Sequence, residues 1–145
     1  MIPVAPTPLV RLGNLFPRRD VHAKCEFLAP SGCFKIRGAA HLLDHLRREG
    51  RTPQLVVPSM GNTALGIAVG ERAFGFPVTG VLPQTIGRDK GEKVQALGVE
   101  PVKIPGGGEP LSRAMEIARE CGAYFVHPRL DPLWTEGFQI IARQC

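Results

Sequence analysis

Strand-like and helix-like periods alternate through most of this 145-residue chain, and that alternation restricts the fold more than any other feature. The stretch CFKIRGAAHLLDHLRREG (33–50) puts Ala39, Leu42, Leu43 and Leu46 on one helical face and stops near Gly50. QLVVP (54–58) reads as a short apolar strand and NTALGIAVGERAFG (62–75) as a helix. The pattern continues with strand VTGVLP, helix DKGEKVQALG, strand EPVKIP, helix EPLSRAMEIARECG, strand YFVHP and a last helix DPLWTEGFQIIARQC (131–145). Ahead of them, HAKCEFL (22–28) reads as a strand. Helices of about ten residues between short strands predict an α/β fold, a three-layer open parallel sheet with helices on both faces. No fixed internal repeat, low-complexity tract or linker interrupts it.

Composition closes off several function classes. An apolar share of 43% is enough for the core of one domain. The net charge of +5 comes from dispersed basic residues; the densest clusters, PRRD (17–20) and RREGR (47–51), carry no interleaved aromatics, which argues against nucleic-acid binding. The longest uncharged window, 52–70, contains two prolines and three glycines and does not read as a membrane span. No basic segment precedes an apolar run at the N-terminus, so no export signal is visible. Cys25, Cys33, Cys121 and Cys145 form no C-x-x-C pair, which disfavours a zinc site and a disulfide framework. A cytoplasmic location is the expectation.

Ligands of such sheets bind where strands end and helices begin. PSMGNTALG (58–66) follows a strand, and Ser59, Gly61, Asn62 and Thr63 make a small polar turn at a helix N-terminus, where an anion is favoured. Taken alone, Ser59 or Asn62 would simply cap the helix, and Gly66 and Gly70 would allow close helix-to-sheet packing. Gly106, Gly107 and Gly108 also follow a strand, but with neither P-loop nor dinucleotide spacing and with Glu109 next in line. A flexible connection is the expected role there.

Lys35, in PSGCFKIRGAA (30–40), falls in the first turn of its helix beside Phe34. The positive helix end and partial burial both lower an amine's pKa, which is how a lysine becomes a nucleophile toward an aldehyde. For the residue by itself, a solvated lysine would be the simpler reading.

The order PTPLVRL, PSGCFKIRGAA, SMGNTALGIA resembles the amino-terminal half of the fold-type-II pyridoxal-phosphate enzymes, the tryptophan synthase β-subunit superfamily, which includes threonine dehydratases, serine racemases, threonine synthases and cysteine synthases. YFVHPRLDPLWTEGFQ is similar to the His-Pro and Glu-Gly segments of the dehydratases and threonine synthases. The resemblance implies pyridoxal 5′-phosphate as cofactor, held covalently by Lys35. It implies a substrate-carboxylate loop of Ser59, Met60, Gly61, Asn62 and Thr63, with Asn62 also contacting the cofactor's 3′-oxygen. A small amino acid would be the substrate, losing or exchanging a β or γ group after Lys35 removes the Cα proton.

Departures from the family pattern refine this. Cys33 stands where serine is usual, and Met60 replaces the serine that racemases use, arguing against racemisation. KIRG favours the dehydratase branch over synthases, which more often carry an acidic residue before the arginine. Family members run to more than twice this length, and their second half supplies a glycine-rich phosphate loop and the residue facing the pyridine nitrogen. The resemblance therefore implies that residues 1–34 belong with the larger domain and 35–145 form the small domain. A complementary chain or a homo-oligomer is the expected partner, with a non-catalytic remnant acting as an interaction module the alternative. The first thirty or so residues and the final helix are expected to present an apolar, unpartnered surface.

Overall fold

The computed structural model describes residues 4–58, 61–85, 87–96, 98–104, 109–127 and 129–145. Strands β1 (Leu9–Arg11) and β2 (His22–Lys24) form an antiparallel pair with Val10 opposite Ala23. The chain then runs through α1 (Lys35–Arg48), β3 (Leu55–Pro58), α2 (Asn62–Phe74), β4 (Val78–Pro83), α3 (Arg88–Ala96), β5 (Glu100–Ile104), α4 (Pro110–Cys121) and β6 (Tyr124–Phe125). Two short helices, α5 (Pro132–Glu136) and α6 (Gln139–Arg143), follow. The four later strands make one parallel sheet in the order β5-β4-β3-β6. This is the α/β layered fold that the periodicity predicts.

Both faces of the sheet are covered, so its central strands bury residues on both sides. Leu55, Val57 and Leu82 join a core with Ala39, Leu42, Leu43 and Leu46 of α1 and Ala64, Ile67 and Ala68 of α2. On the other face Val56 and Val81 pack on Ala114 and Ala118 of α4. The predicted apolar face of α1 is fully buried, while His45, Arg47 and Arg48 sit in its last turn, where positive charge suits the helix dipole.

Three expectations need correction. HAKCEFL is not one strand: pairing stops at Lys24, and Glu26–Leu28 winds into a 3-10 turn. The turn carries the Glu26 carboxylate to the buried Arg37 guanidinium, with contacts of 2.7 and 2.8 Å, a direction a continuing strand would not supply. YFVHP pairs only over Tyr124–Phe125, because the His127 Nδ1 accepts the N–H groups of Arg129 and Leu130 and turns the chain. The last helix is two, separated at Gly137, where the backbone lies so close to α1 that a Cβ would stand 2.5 Å from the Arg37 carbonyl oxygen. The first of the two is no loose end, for its Trp134 is fully buried in the α1–α2 core.

Candidate active site around Lys35

The strand order reverses direction beside β3: β4 and β5 continue on one side of it, and β6 lies on the other. Such a switch point opens a crevice between neighbouring strand-to-helix loops at the carboxyl ends of the strands. Here those loops are the one entering α2 and the one between β6 and α5.

Lys35 is the first residue of α1. A Cβ on Gly66 would lie 3.0 Å from the Lys35 carbonyl carbon and 3.1 Å from its Cβ, so only glycine lets α2 approach the start of α1 this closely. The sequence reading assigned Gly66 to helix-to-sheet packing; it serves helix-to-helix contact at the lysine instead. The Cys33 Sγ is 4.0 Å from the Asn62 carbonyl oxygen, a second link between the two segments.

The Lys35 Nζ lies 4.7 Å from the Phe34 ring centroid and 5.2 Å from that of Phe138. Burial pushes the amine below its ordinary 10.5; the Cys33 thiol opposes this and Arg129 adds to it. The first turn of α1 carries no acidic residue that would favour the ammonium, and Phe34 offers no side-chain cap. An amine in this setting loses its proton more readily and suits attack on an aldehyde, so the residue fits a pyridoxal cofactor.

The other expected site residues divide. Gly61 occupies the cap position of α2: its carbonyl accepts the Leu65 N–H at 2.9 Å, and its φ of 132° is a conformation that glycine tolerates. Asn62 is therefore the first helical residue, exposed at the helix mouth, and not its cap. Thr63 is buried. Ser59 and Met60 lie outside the described residues, as do Gly106, Gly107 and Gly108. Lys103 is exposed, as expected, and the side chains of Lys90 and Lys93 are outside the description.

Arg37 is the residue whose role the sequence did not reveal. It lies about 200° round the helix from Lys35, with its side chain 1% exposed, and donates two hydrogen bonds to Glu26. Glu26 also accepts from Thr7 Oγ1 at 2.6 Å, and Lys24 Nζ reaches the Thr7 carbonyl at 2.6 Å. Burial pushes the Glu26 carboxyl up, but the Arg37 and Thr7 hydrogen bonds outweigh it and hold the group below its ordinary 4.5. The arginine of KIRG thus fastens the lysine helix to the N-terminal hairpin. An acidic residue inside an apolar run was the available signal. A groove of about 260 Å³ between α1 and α6, lined by Val4, His41, Asp44 and Arg143, lies on this same side of α1 and is separate from the lysine.

Comparison with known proteins agrees with the geometry. The chain is 38% identical over 115 residues to an L-threonine ammonia-lyase of Thermotoga maritima, covering 78% of this chain and 28% of that protein. It is 29% identical to a probable cysteine synthase of Bacillus subtilis, covering 88% and 44%. The processed form of threonine deaminase isoform 2 from Solanum lycopersicum superposes with a TM-score of 0.86 at 27% identity, covering 97% of this chain and 40% of that one. The chain thus spans less than half the length of each of these relatives. The family described as pyridoxal-phosphate dependent enzyme matches residues 2–145, and the chain belongs to that family.

Proposed function

We propose that this chain is the lysine-bearing part of a pyridoxal-phosphate-dependent amino-acid lyase of the threonine or serine dehydratase type, with elimination preferred over synthase-type replacement. The observation that carries this is the half-buried Lys35 amine, shifted toward its neutral form, at the point where Gly66 brings α1 against α2. The preference for elimination rests on the 38% identity to the ammonia-lyase, against 29% to the probable cysteine synthase.

When bound, the cofactor supplies an aldehyde for the lysine and an electron-withdrawing ring. Lys35 would hold it, and the Lys35 Nζ, when free, would accept the Cα proton of the substrate. Its burial disfavours the ammonium, which suits a group that must take up a proton. The mouth of α2, with Ser59, Met60, Gly61, Asn62 and Thr63, receives the substrate carboxylate on main-chain N–H groups and short polar side chains. Asn62, exposed at that mouth, would contact the cofactor's 3′-oxygen. A cytoplasmic location accompanies this reading.

Residues 1–34 are proposed to belong with a larger domain and 35–145 to form the small one. Supporting this, β1 and β2 pair with no other strand among the described residues, and Leu9, Val10, Leu15 and Phe27 are exposed. The same unpaired hairpin favours a complementary chain, or a second copy, as partner. It also supports the second reading, a non-catalytic interaction module.

Borohydride reduction of the cofactor-loaded chain, followed by peptide mass mapping, is expected to place the pyridoxyl label on Lys35. A label on Lys90, Lys93 or Lys103 would overturn the assignment. Release of ammonia and keto acid from serine or threonine separates lyase from interaction module. Turnover by the chain, alone or with its complement, supports the first; labelling without turnover in either form supports the second.

A further inference from the structure

The Lys35 amine has an aromatic neighbour from its own helix end and another from the far end of the chain. Phe34 precedes it directly, whereas Phe138 arrives on the turn between α5 and α6. The two rings meet edge to face with centroids 5.1 Å apart, and Phe138 meets Trp134 in the same manner at 6.0 Å. Trp134 is fully buried, so Phe138 is braced from behind by a rigid part of the core. The bracing depends on two glycines. A Cβ on Gly38 would stand 3.0 Å from the Phe138 ring and 2.7 Å from the Trp134 carbonyl oxygen, and one on Gly137 would stand 2.7 Å from the Gly38 Cα. Backbone meets backbone there, which carries the Phe138 ring up to the lysine.

We propose that Phe138 is a positioning residue for Lys35, closing with Phe34 an aromatic recess that holds the free ε-amine in one place and away from water. The two rings act on that amine in opposite senses. Their bulk removes water, which favours the neutral form, and their π faces attract an ammonium, which favours the charged one. The amine's net shift is downward with burial as its largest cause, so exclusion of water is the stronger effect. Among the described residues, the titratable groups that act on the amine are the Cys33 thiol on the approach to α1 and Arg129 on the loop before α5. Neither lies on the turn that carries Phe138.

The functional meaning of the recess rests on the proposed role of Lys35, but its physical effect does not, and the two are measured apart. In the cofactor-free chain, acylation of Lys35 is followed against pH by peptide mass spectrometry in the parent and in Phe138→Ala and Phe138→Leu. The fold of each is checked by circular dichroism and by the fluorescence of Trp134, the chain's one tryptophan. Phe138→Ala admits water and is expected to move the Lys35 midpoint up by about half a pH unit or more. Phe138→Leu keeps much of the bulk without the π face, and its midpoint is expected to fall below the parent's. An unmoved Lys35 midpoint in folded Phe138→Ala overturns the proposal; so does an unmoved or raised midpoint in Phe138→Leu, which decides the matter if the alanine variant fails to fold. If these shifts appear while the pyridoxyl label lands on another lysine, the recess stands and the assignment of Lys35 as cofactor lysine falls. If the label lands on Lys35 and the midpoints do not move, the reverse holds.

Discussion

Glu26 and Arg37 are joined by two hydrogen bonds, of 2.7 and 2.8 Å, across the junction between the N-terminal hairpin and the first turn of α1. The arginine side chain is 1% exposed and the glutamate side chain 13%. Removing one member strands the other in the interior. Glu26→Gln is expected to cost about 3 kcal/mol in chemical denaturation, and the double change to Glu26→Leu with Arg37→Met to recover most of it. Equal losses in the single and double variants would mean that packing, not charge, holds the junction.

The same pair sets an acid limit. Because the folded Glu26 carboxyl lies below its ordinary 4.5, its contribution is fully present above that pH and is lost as the pH falls through the lower folded value. Urea midpoints measured down an acid series are expected to fall more steeply below pH 4.5 in the parent than in the Glu26→Leu/Arg37→Met double variant.

Gly66→Ala separates stability from site geometry. A helical alanine gains about 1 kcal/mol over glycine, and the close contact of 3.0 Å with the Lys35 backbone consumes that gain by shifting one helix. Thermal stability should stay within about 1 kcal/mol of the parent, while the yield of pyridoxyl label on Lys35 drops. An unchanged yield would show that the lysine tolerates the displacement.

Asn62→Ala tests the helix mouth. Since Gly61 and not Asn62 holds the cap position, the variant should lose less than about 0.5 kcal/mol of stability yet retain cofactor less well. A stability loss near 1 kcal/mol would restore the capping role.

Tyr124 is the chain's only tyrosine, so phenolate absorbance reads it alone. Burial and the neighbouring Asp131 charge push its hydroxyl up to about 12, and it donates to Asp131 Oδ2 at 3.0 Å. Its contribution to stability is therefore complete below its ordinary 10 and lost as the pH rises through about 12. Asp131→Asn should bring the phenolate midpoint down. The carboxylate also caps α5 by accepting the Trp134 N–H at 3.1 Å, a role an asparagine oxygen fills as well, so a loss of the cap is expected of Asp131→Ala and not of Asp131→Asn.

The parts of the fold that repeat a period over several residues were readable: the buried stripe of α1 and the doubly covered β3 and β4 follow from where apolar residues fall. The place of Lys35 in the first turn of α1 was readable from where the apolar stripe begins. What escaped depends on the order of strands and on contacts distant in sequence. Nothing local in HAKCEFL says that Glu26 must turn back toward an arginine, and nothing in DPLWTEGFQ says that Gly137 will press on α1 and split the helix. Gly66 shows the same limit, since a small residue announces a close approach but not which neighbour makes it.

The sheet order also governs the sequence of events during synthesis. β3 can pair with β4 as soon as the β3–α2–β4 unit has emerged, but its other edge waits for Tyr124–Phe125, which pair with Leu55 and Val56 from far along the chain. Until then a wholly apolar strand keeps one flank of N–H and C=O groups open to any passing strand, and Trp134, which completes the core above it, arrives later still. A nascent chain is thus most exposed to mispairing between the appearance of β4 and that of β6. A ribosome pausing just after β4 would prolong that window, whereas one pausing after α5 would not.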